Sequence, residues 1–202
     1  NVRPVGRDLE AGAVVVAART VLGPPEIGLL ATVGRTEALV HPLPRVTVMA
    51  TGDELVEPGE PLGPGQIYDS NSWALCAAVE ATGGIAHRGE HIIDTKEALR
   101  EGLLEAVAQS DLVVTSGGVS MGTRDLLKPV LSELGEIHFG RVATKPGKPL
   151  TFAIVNEVPV FGLPGFPVSS LVTFENVVRP AMRIMEGHKL LWRAEIDVRL
   201  SH

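Results

Sequence analysis

Between Asp111 and Leu134 the chain runs an apolar strand, a glycine-rich turn and a helical stretch in immediate succession. Asp111-Leu-Val-Val-Thr115 supplies the strand; Thr115-Ser-Gly-Gly-Val-Ser-Met-Gly-Thr-Arg124, closed by Asp125, supplies the turn. A strand that turns on glycine straight into a helix belongs to an α/β fold. Such a turn presents backbone N–H groups and a helix amino terminus to an anion. The spacing forms no G-x-G-x-x-G fingerprint, and no Walker lysine follows. A phosphate or oxyanion site of another kind fits the loop. So does a tight turn that needs glycine only for its backbone. The other loops must decide between them.

The same alternation extends along most of the chain. Val46–Met49 is a short buried strand, followed by a Gly/Pro-rich loop from Asp53 to Ile67. Asp69-Ser70-Asn71 offers cap residues for a helix through about Ala81. Ile85–Gly89 reads as a strand, and Asp94-Thr-Lys-Glu97 as a variant capping box, with Asp94 as cap, for a helix to about Gln109. A helix from about Asp125 to Leu134 and a strand at Ile137–Val142 follow. Leu150–Val155 and Val158–Gly162, joined by Asn156-Glu157, have hairpin spacing and add antiparallel strands, although Asn-Glu is a poor turn pair. A long helix spans about Val168–Gly187, which Pro180 should kink or divide. This order predicts a three-layer α/β/α fold with a mixed, mostly parallel sheet over residues 44–187.

The flanks differ. Residues 1–43 read as an arm and linker: a strand at Ala13–Ala17, a helix from Pro24 or Pro25 to about Val33, a strand at Glu37–Val40, then Pro42 and Pro44. Residues 188–202 read as the start of a carboxy-terminal β domain, with alternation over Trp192–Leu200 as its first strand. With Asn at position 1, the chain reads as part of a longer polypeptide.

A net charge of −6 argues against general binding to nucleic acid or anionic membrane, while leaving room for a local basic pocket. No apolar run approaches the roughly 18 residues of a membrane span. The single cysteine, Cys76, excludes an internal disulfide, fits a reducing, cytoplasmic compartment, and sits in an apolar helix as inert core. His87 and His91 are four apart but fall on a strand, so they do not form a helical zinc pair. No Gly-x-Ser-x-Gly elbow is present.

In open α/β sheets ligands sit beyond the carboxyl ends of the strands. Four marked loops start there: Thr51–Glu54, Ser116–Asp125, Lys145–Pro149 and Gly162–Ser169. A parallel centre would bring them to one rim. Lys145 and Lys148 are point charges suited to an oxyanion, in a loop stiffened by Pro146 and Pro149. Ser120 and Ser169 offer hydroxyls, and Ser169 lies in the first turn of a helix. Asp53, Glu54, Asp69 and Asp125 are hard oxygen donors of the kind that hold Mg²⁺ beside phosphates, but each also suits a turn or a helix cap.

Five ordered motifs carry a resemblance. Thr51-Gly-Asp-Glu-Leu55, Gly65-Gln-Ile-Tyr-Asp-Ser-Asn71, Thr115–Asp125, Lys145-Pro-Gly-Lys-Pro-Leu-Thr-Phe152 and Gly162-Leu-Pro-Gly-Phe-Pro-Val-Ser169 resemble the molybdopterin molybdotransferases. That family comprises the bacterial MoeA proteins and the E domain of gephyrin. The resemblance implies a molybdenum-cofactor-binding α/β domain in a cytoplasmic homodimer. The implied reaction cleaves adenylylated molybdopterin and inserts molybdate, giving molybdenum cofactor and AMP, with Mg²⁺. Lys145, Lys148, Pro149 and Ser169 would line the molybdate pocket. Gly117, Gly118, Val119 and Ser120 would cradle the pterin or nucleotide phosphates. Asp125 would hold the metal, with Glu54 and Asp69 as further acidic catalytic positions. One departure stands out: the family usually has Asn where this chain has Phe166. A molybdopterin adenylyltransferase, which shares the fold, and a non-catalytic pterin-binding scaffold are the alternatives.

Overall fold

The computed structural model describes residues 2–118 and 126–198. Its centre is a six-stranded sheet in the order β4-β1-β5-β8-β7-β6. The strands are β1 (Arg45–Ala50), β4 (Ile85–Arg88), β5 (Leu112–Ser116), β6 (Glu136–Phe139), β7 (Thr151–Val155) and β8 (Val158–Leu163). β4, β1, β5 and β8 run parallel, while β7 is antiparallel to β8 and β6 to β7. The mixed, mostly parallel sheet expected from the βα alternation is therefore present. β5 is buried at all five residues, as a central parallel strand covered on both faces must be.

Successive side chains of a strand point to opposite faces, and the core divides accordingly. Met49, Val113, Val160 and Ala153 pack under α3 (Lys96–Gln109) and α4 (Leu127–Leu134). Val46, Val48, Leu112, Val114, Phe161 and Leu163 pack under α2 (Asn71–Thr82), α5 (Pro167–Thr173) and α6 (Arg179–Met185). The result is α/β/α in three layers.

Pro180 divides the last helix, as its chemistry requires. It sits in the first turn of α6, and a π-helical turn over Phe174–Val178 separates α5 from α6. A proline supplies no N–H to the carbonyl four residues earlier and crowds it; a local widening of the helix absorbs both effects. The β7–β8 hairpin closes through Asn156 (φ 47°) and Glu157 (φ 69°), both left-handed as a two-residue hairpin turn needs. Asn tolerates that conformation and Glu does not, so the ladder pair Val155↔Val158 holds it in place.

Several local expectations fail. Ala13–Ala17 and Glu37–Val40 form no strand, and neither do the described residues of 192–198. An apolar or alternating stretch makes a strand only where a neighbouring edge completes the hydrogen-bond ladder, and none lies beside these among the described residues. In the arm, α1 (Pro24–Thr32) has proline in its first turn as expected but buries none of its residues. Within the 53–67 loop, β2 (Leu55–Val56) pairs in parallel with β3 (Ile67–Tyr68) as a small separate sheet. At α3 the cap is Thr95, whose side chain accepts from Ala98 N at 3.2 Å, in place of Asp94.

Arg45 and Asp111 tie the amino-terminal ends of β1 and β5. The Asp111 carboxylate accepts from Arg45 N at 2.8 Å and from Arg45 Nη2 at 2.9 Å. The Arg45 side-chain hydrogen bond holds the Asp111 carboxyl below its ordinary value, against an opposing push from burial. A carboxyl depressed in the folded state stabilises the fold above its unfolded pKa, about 3.9, and loses that contribution as pH falls through its folded value. The pair is partly exposed, so Asp111→Asn should cost under about 1 kcal/mol at neutral pH. Thermal melts of variant and wild type should converge on acidification; a gap that persists at the acid end would sink this account.

Candidate functional site at the carboxyl-end rim

The carboxyl ends of β1, β5 and β8 lie side by side because these strands are parallel and in register. That places Thr51–Glu54, Gly117-Gly118 and Pro164–Ser169 along one rim. Lys145–Pro149 reaches the same rim from the other direction. It precedes β7, whose first residue Thr151 pairs with Gly162 near the end of antiparallel β8. Four loops from distant parts of the sequence therefore meet at one edge of the sheet, as the sequence predicts. Val119, Ser120 and Asp125 lie outside the described residues.

Glycine is required where these loops touch. Gly117 has φ +93° and Gly118 φ +67°, a conformation side chains rarely adopt. A Cβ on Gly117 would run into the Thr51 carbonyl and lie 3.1 Å from Thr51 Oγ1; one on Gly118 would lie 2.9 Å from Thr51 Oγ1. The Gly117 N–H donates to Leu163 O at 3.3 Å and Thr51 N–H to Ser116 O at 3.1 Å. These bonds are already committed to neighbouring loops. Thr51 Oγ1 is buried with no hydrogen-bond partner among the described residues, a donor left over at the glycine turn.

The sequence offers Asn71, the first residue of α2, as a helix cap, and the structure uses its side chain to tie loops instead. Its Nδ2 donates to Ser116 Oγ at 2.8 Å and to Gly165 O at 2.6 Å. One carboxamide thus holds the end of β5 and the β8–α5 loop to the start of α2. Only the fold reveals this, because the partners are 45 and 94 residues away. Asn71→Asp keeps the size, suits a helix amino terminus and removes both donors. It should cost about 1–2 kcal/mol and speed amide hydrogen exchange at residues 165–168 while α2 stays protected. Unchanged exchange there would show that Asn71 is not the clasp.

The acidic candidates separate. Asp69 is 5% exposed; it accepts from Ser72 N at 3.0 Å and from Ser72 Oγ, and stands 3.9 Å from Arg88 Nη1. It caps α2, whereas Ser70 makes no side-chain cap bond. Glu54 is exposed and folds over Gly52, where a Cβ would lie 2.6 Å from its Oε2. Asp53 Oδ1 accepts from Asp94 N at 3.0 Å and so ties its loop to the segment before α3. No group of three His, Cys, Asp or Glu among the described residues is arranged to hold a metal.

The cationic loop is different. Lys145 and Lys148 are exposed, and neither has a carboxylate within ion-pair distance among the described residues. The Lys148 carbonyl accepts from Val142 N and from Leu150 N, both at 3.1 Å, which closes the loop on itself. Gly147 has φ +102°, and a Cβ there would lie 2.5 Å from Thr173 Oγ1 of α5. The loop is thereby seated against the helix that carries Ser169 in its first turn, with Pro149 half-buried between. Phe166 occupies the cap position of α5, is 80% exposed and makes no cap bond. An asparagine there would offer a capping oxygen that phenylalanine lacks.

Cys76 is half-buried, and loss of hydration pushes its thiol up to about 11, so it is protonated and unreactive at neutral pH. A cavity of about 620 Å³ lies between β4 and α3, and none of the described rim residues lines it.

Residues 47–184 match the family described as a probable molybdopterin binding domain. The chain belongs to this family. It is 39% identical over 189 residues to a molybdopterin molybdenumtransferase of Haemophilus influenzae, covering 94% of this chain and 47% of that protein. It is 38% identical over 217 residues to gephyrin of Dictyostelium discoideum, covering 93% of this chain and 30% of that protein. A solved molybdopterin biosynthesis MoeA protein from Pyrococcus horikoshii superposes with a TM-score of 0.81 at 40% identity, covering 90% of this chain and 45% of that one. The resemblance carried by the five motifs is thus borne out. The chain spans about half the length of the molybdenumtransferases it matches. No helix among the described residues is long and apolar enough to cross a membrane.

Proposed function

We propose that this chain is the molybdopterin-binding part of a cytoplasmic, homodimeric molybdopterin molybdenumtransferase, which takes adenylylated molybdopterin and molybdate and releases AMP as molybdenum cofactor forms. One observation carries the reading: two lysines with no carboxylate partner among the described residues sit on the same rim as the left-handed Gly117-Gly118 turn and the first turn of α5. An oxyanion offers only acceptors and negative charge. Lys145 and Lys148 supply the opposing charge and Ser169 a hydroxyl. The Gly147 contact with α5 seats the loop that carries the lysines. Gly118, with Val119 and Ser120 beyond it, would cradle phosphate, since Gly117 already donates elsewhere. Asn71 keeps the loops at fixed spacing.

Mg²⁺ neutralises charge on phosphates when bound. Asp125, which lies outside the described residues, is its proposed protein ligand, as the family resemblance implies. Asp125→Asn keeps size and capping capacity but removes the charge. The full-length variant should fold with an unchanged circular dichroism spectrum and lose Mg²⁺-dependent AMP release. Wild-type turnover across a Mg²⁺ titration would end the metal-ligand role.

The reaction is tested by supplying the full-length protein with adenylylated molybdopterin, molybdate and Mg²⁺. AMP release with cofactor formation supports the reading. Attachment of AMP from ATP would replace it with an adenylyltransferase, and binding without turnover with a scaffold module. Sedimentation of the full-length protein tests the dimer.

A further inference from the structure

β4 is the edge strand of the main sheet. Together with the segment that follows it, β4 holds the loop between β1 and α2 at both ends. That loop carries Glu54 near its start and Asp69 at its close. Between them β2 and β3 pair in parallel, with Ile67 N donating to Glu54 O at 2.8 Å and Asp69 N to Val56 O at 2.9 Å. One short ladder therefore joins the two acidic residues. Its near end is pinned at Gly52, whose N–H donates to Ile92 O at 3.4 Å and whose carbonyl stands 2.7 Å from His91 Nε2. Glu54 folds over that same glycine. Its far end is pinned by Arg88, the last residue of β4. The Arg88 guanidinium donates to both oxygens of Glu57, at 2.8 and 2.7 Å. Its Nη1 lies 3.9 Å from Asp69 Oδ2, and its Cζ stands 4.6 Å from the centre of the Trp73 ring, in the first turn of α2.

We propose that Arg88 is a positioning residue for this acidic pair. By clamping Glu57, Asp69 and Trp73 in one place it sets where Asp69 stands on the rim and, through the β2–β3 ladder, where Glu54 stands. It acts through these residues rather than on the substrate. Asp69 is tied by Ser72 to the start of α2, but that cap leaves the rest of the loop free to shift against the helix. Arg88 removes this freedom, because it engages the loop at Glu57, the acid at Asp69 and the helix at Trp73 with one planar group. An isolated ion pair at a surface is worth little. A fork that meets both oxygens of a carboxylate while its face lies on an indole fixes orientation as well as distance. A lysine supplies the charge and neither constraint. The share of Glu54 and Asp69 in the reaction rests on the family resemblance and the function proposed above. The clamp itself rests on the distances.

The test uses the full-length protein. Misplaced reacting groups cost rate more than binding, so Arg88→Gln should lower kcat for AMP release roughly tenfold to hundredfold and move KM for adenylylated molybdopterin less than about threefold. Arg88→Lys, which keeps the charge without the fork, should recover little of that rate. Glu57→Gln should lower kcat in the same way, and the double variant should add less than about twofold to the larger single loss, because residues that act as a unit are not additive. A raised KM with kcat retained, wild-type kcat in Arg88→Lys, or losses that multiply in the double variant would each overturn the role. Amide exchange on the same preparations, without substrate, reads the clamp directly. Arg88→Gln should speed exchange at Ile67 and Asp69 by about tenfold or more while β1 and β5 stay protected; unchanged exchange at both overturns the clamp. The two readings fail separately. Turnover that Arg88→Gln leaves unchanged sinks the positioning role and leaves the reaction. Exchange that depends on Arg88 in a protein that releases no AMP sinks the reaction and leaves the clamp.

Discussion

Gly117→Ala is expected to destabilise the chain by about 3 kcal/mol, a fall in Tm of roughly 6–12 °C for a chain of this size. The backbone there sits at φ +93°, and the added methyl would collide with the Thr51 carbonyl, part of a backbone bridged to Ser116 and unable to step aside. Gly118→Ala is the internal comparison. Its φ of +67° lies in the ordinary left-handed well, and its nearest neighbour is a side-chain hydroxyl, Thr51 Oγ1 at 2.9 Å. A hydroxyl can rotate away, so the cost should be about 1–2 kcal/mol. Thermal melts of the two variants decide. If Gly118→Ala is the worse of the two, the close approach at Gly117 is not what fixes the turn.

This contrast marks how far sequence alone could go. Two glycines after a buried strand announce a tight turn at a carboxyl end. They do not reveal that the first is spent on packing against Thr51 and on a bond to Leu163. Pro180 was legible because proline's missing N–H acts locally whatever surrounds it. The β7–β8 hairpin was legible from spacing, although Glu157 is a poor residue for its turn, because a ladder of several bonds outweighs one strained residue. The apolar stretches at Ala13–Ala17 and Glu37–Val40, and the described part of the alternation at Trp192–Leu200, misled for the opposite reason. A strand is completed by its neighbour, and the pattern cannot say whether one is there.

The site divides along the same line. Lys145 and Lys148 could be singled out because two lysines and two prolines in one short loop are difficult to explain as ordinary surface. That the loop faces the glycine turn depends on β7 running against β8, which hairpin spacing implies. Asp69 looked equally like a cap or a catalytic acid, and its bonds to Ser72 show that capping is at least one of its tasks. Asn71 reads as a cap residue in the sequence, and its tie between loops is hidden because its partners are 45 and 94 residues away.

Lys148→Ala carries the largest expected effect on ligand use. The side chain is exposed and has no carboxylate partner among the described residues, so the truncation breaks no ion pair among them and should move Tm by no more than a surface substitution does, within about 0.5 kcal/mol. The backbone of residue 148, which accepts from Val142 and Leu150, is retained. What is removed is the point charge that the proposed molybdate pocket would use. Loss of one charge-assisted hydrogen bond is worth about 1.5–3 kcal/mol, which is roughly a tenfold to hundredfold rise in the molybdate Kd. Pterin binding depends on more of the rim and should fall by less. Isothermal titration with each ligand separates the outcomes. An equal loss for both ligands would mean that Lys148 shapes the loop as a whole, and a lowered Tm would mean that it props the fold. Only a selective loss of molybdate, on an intact fold, makes Lys148 the oxyanion's counter-charge.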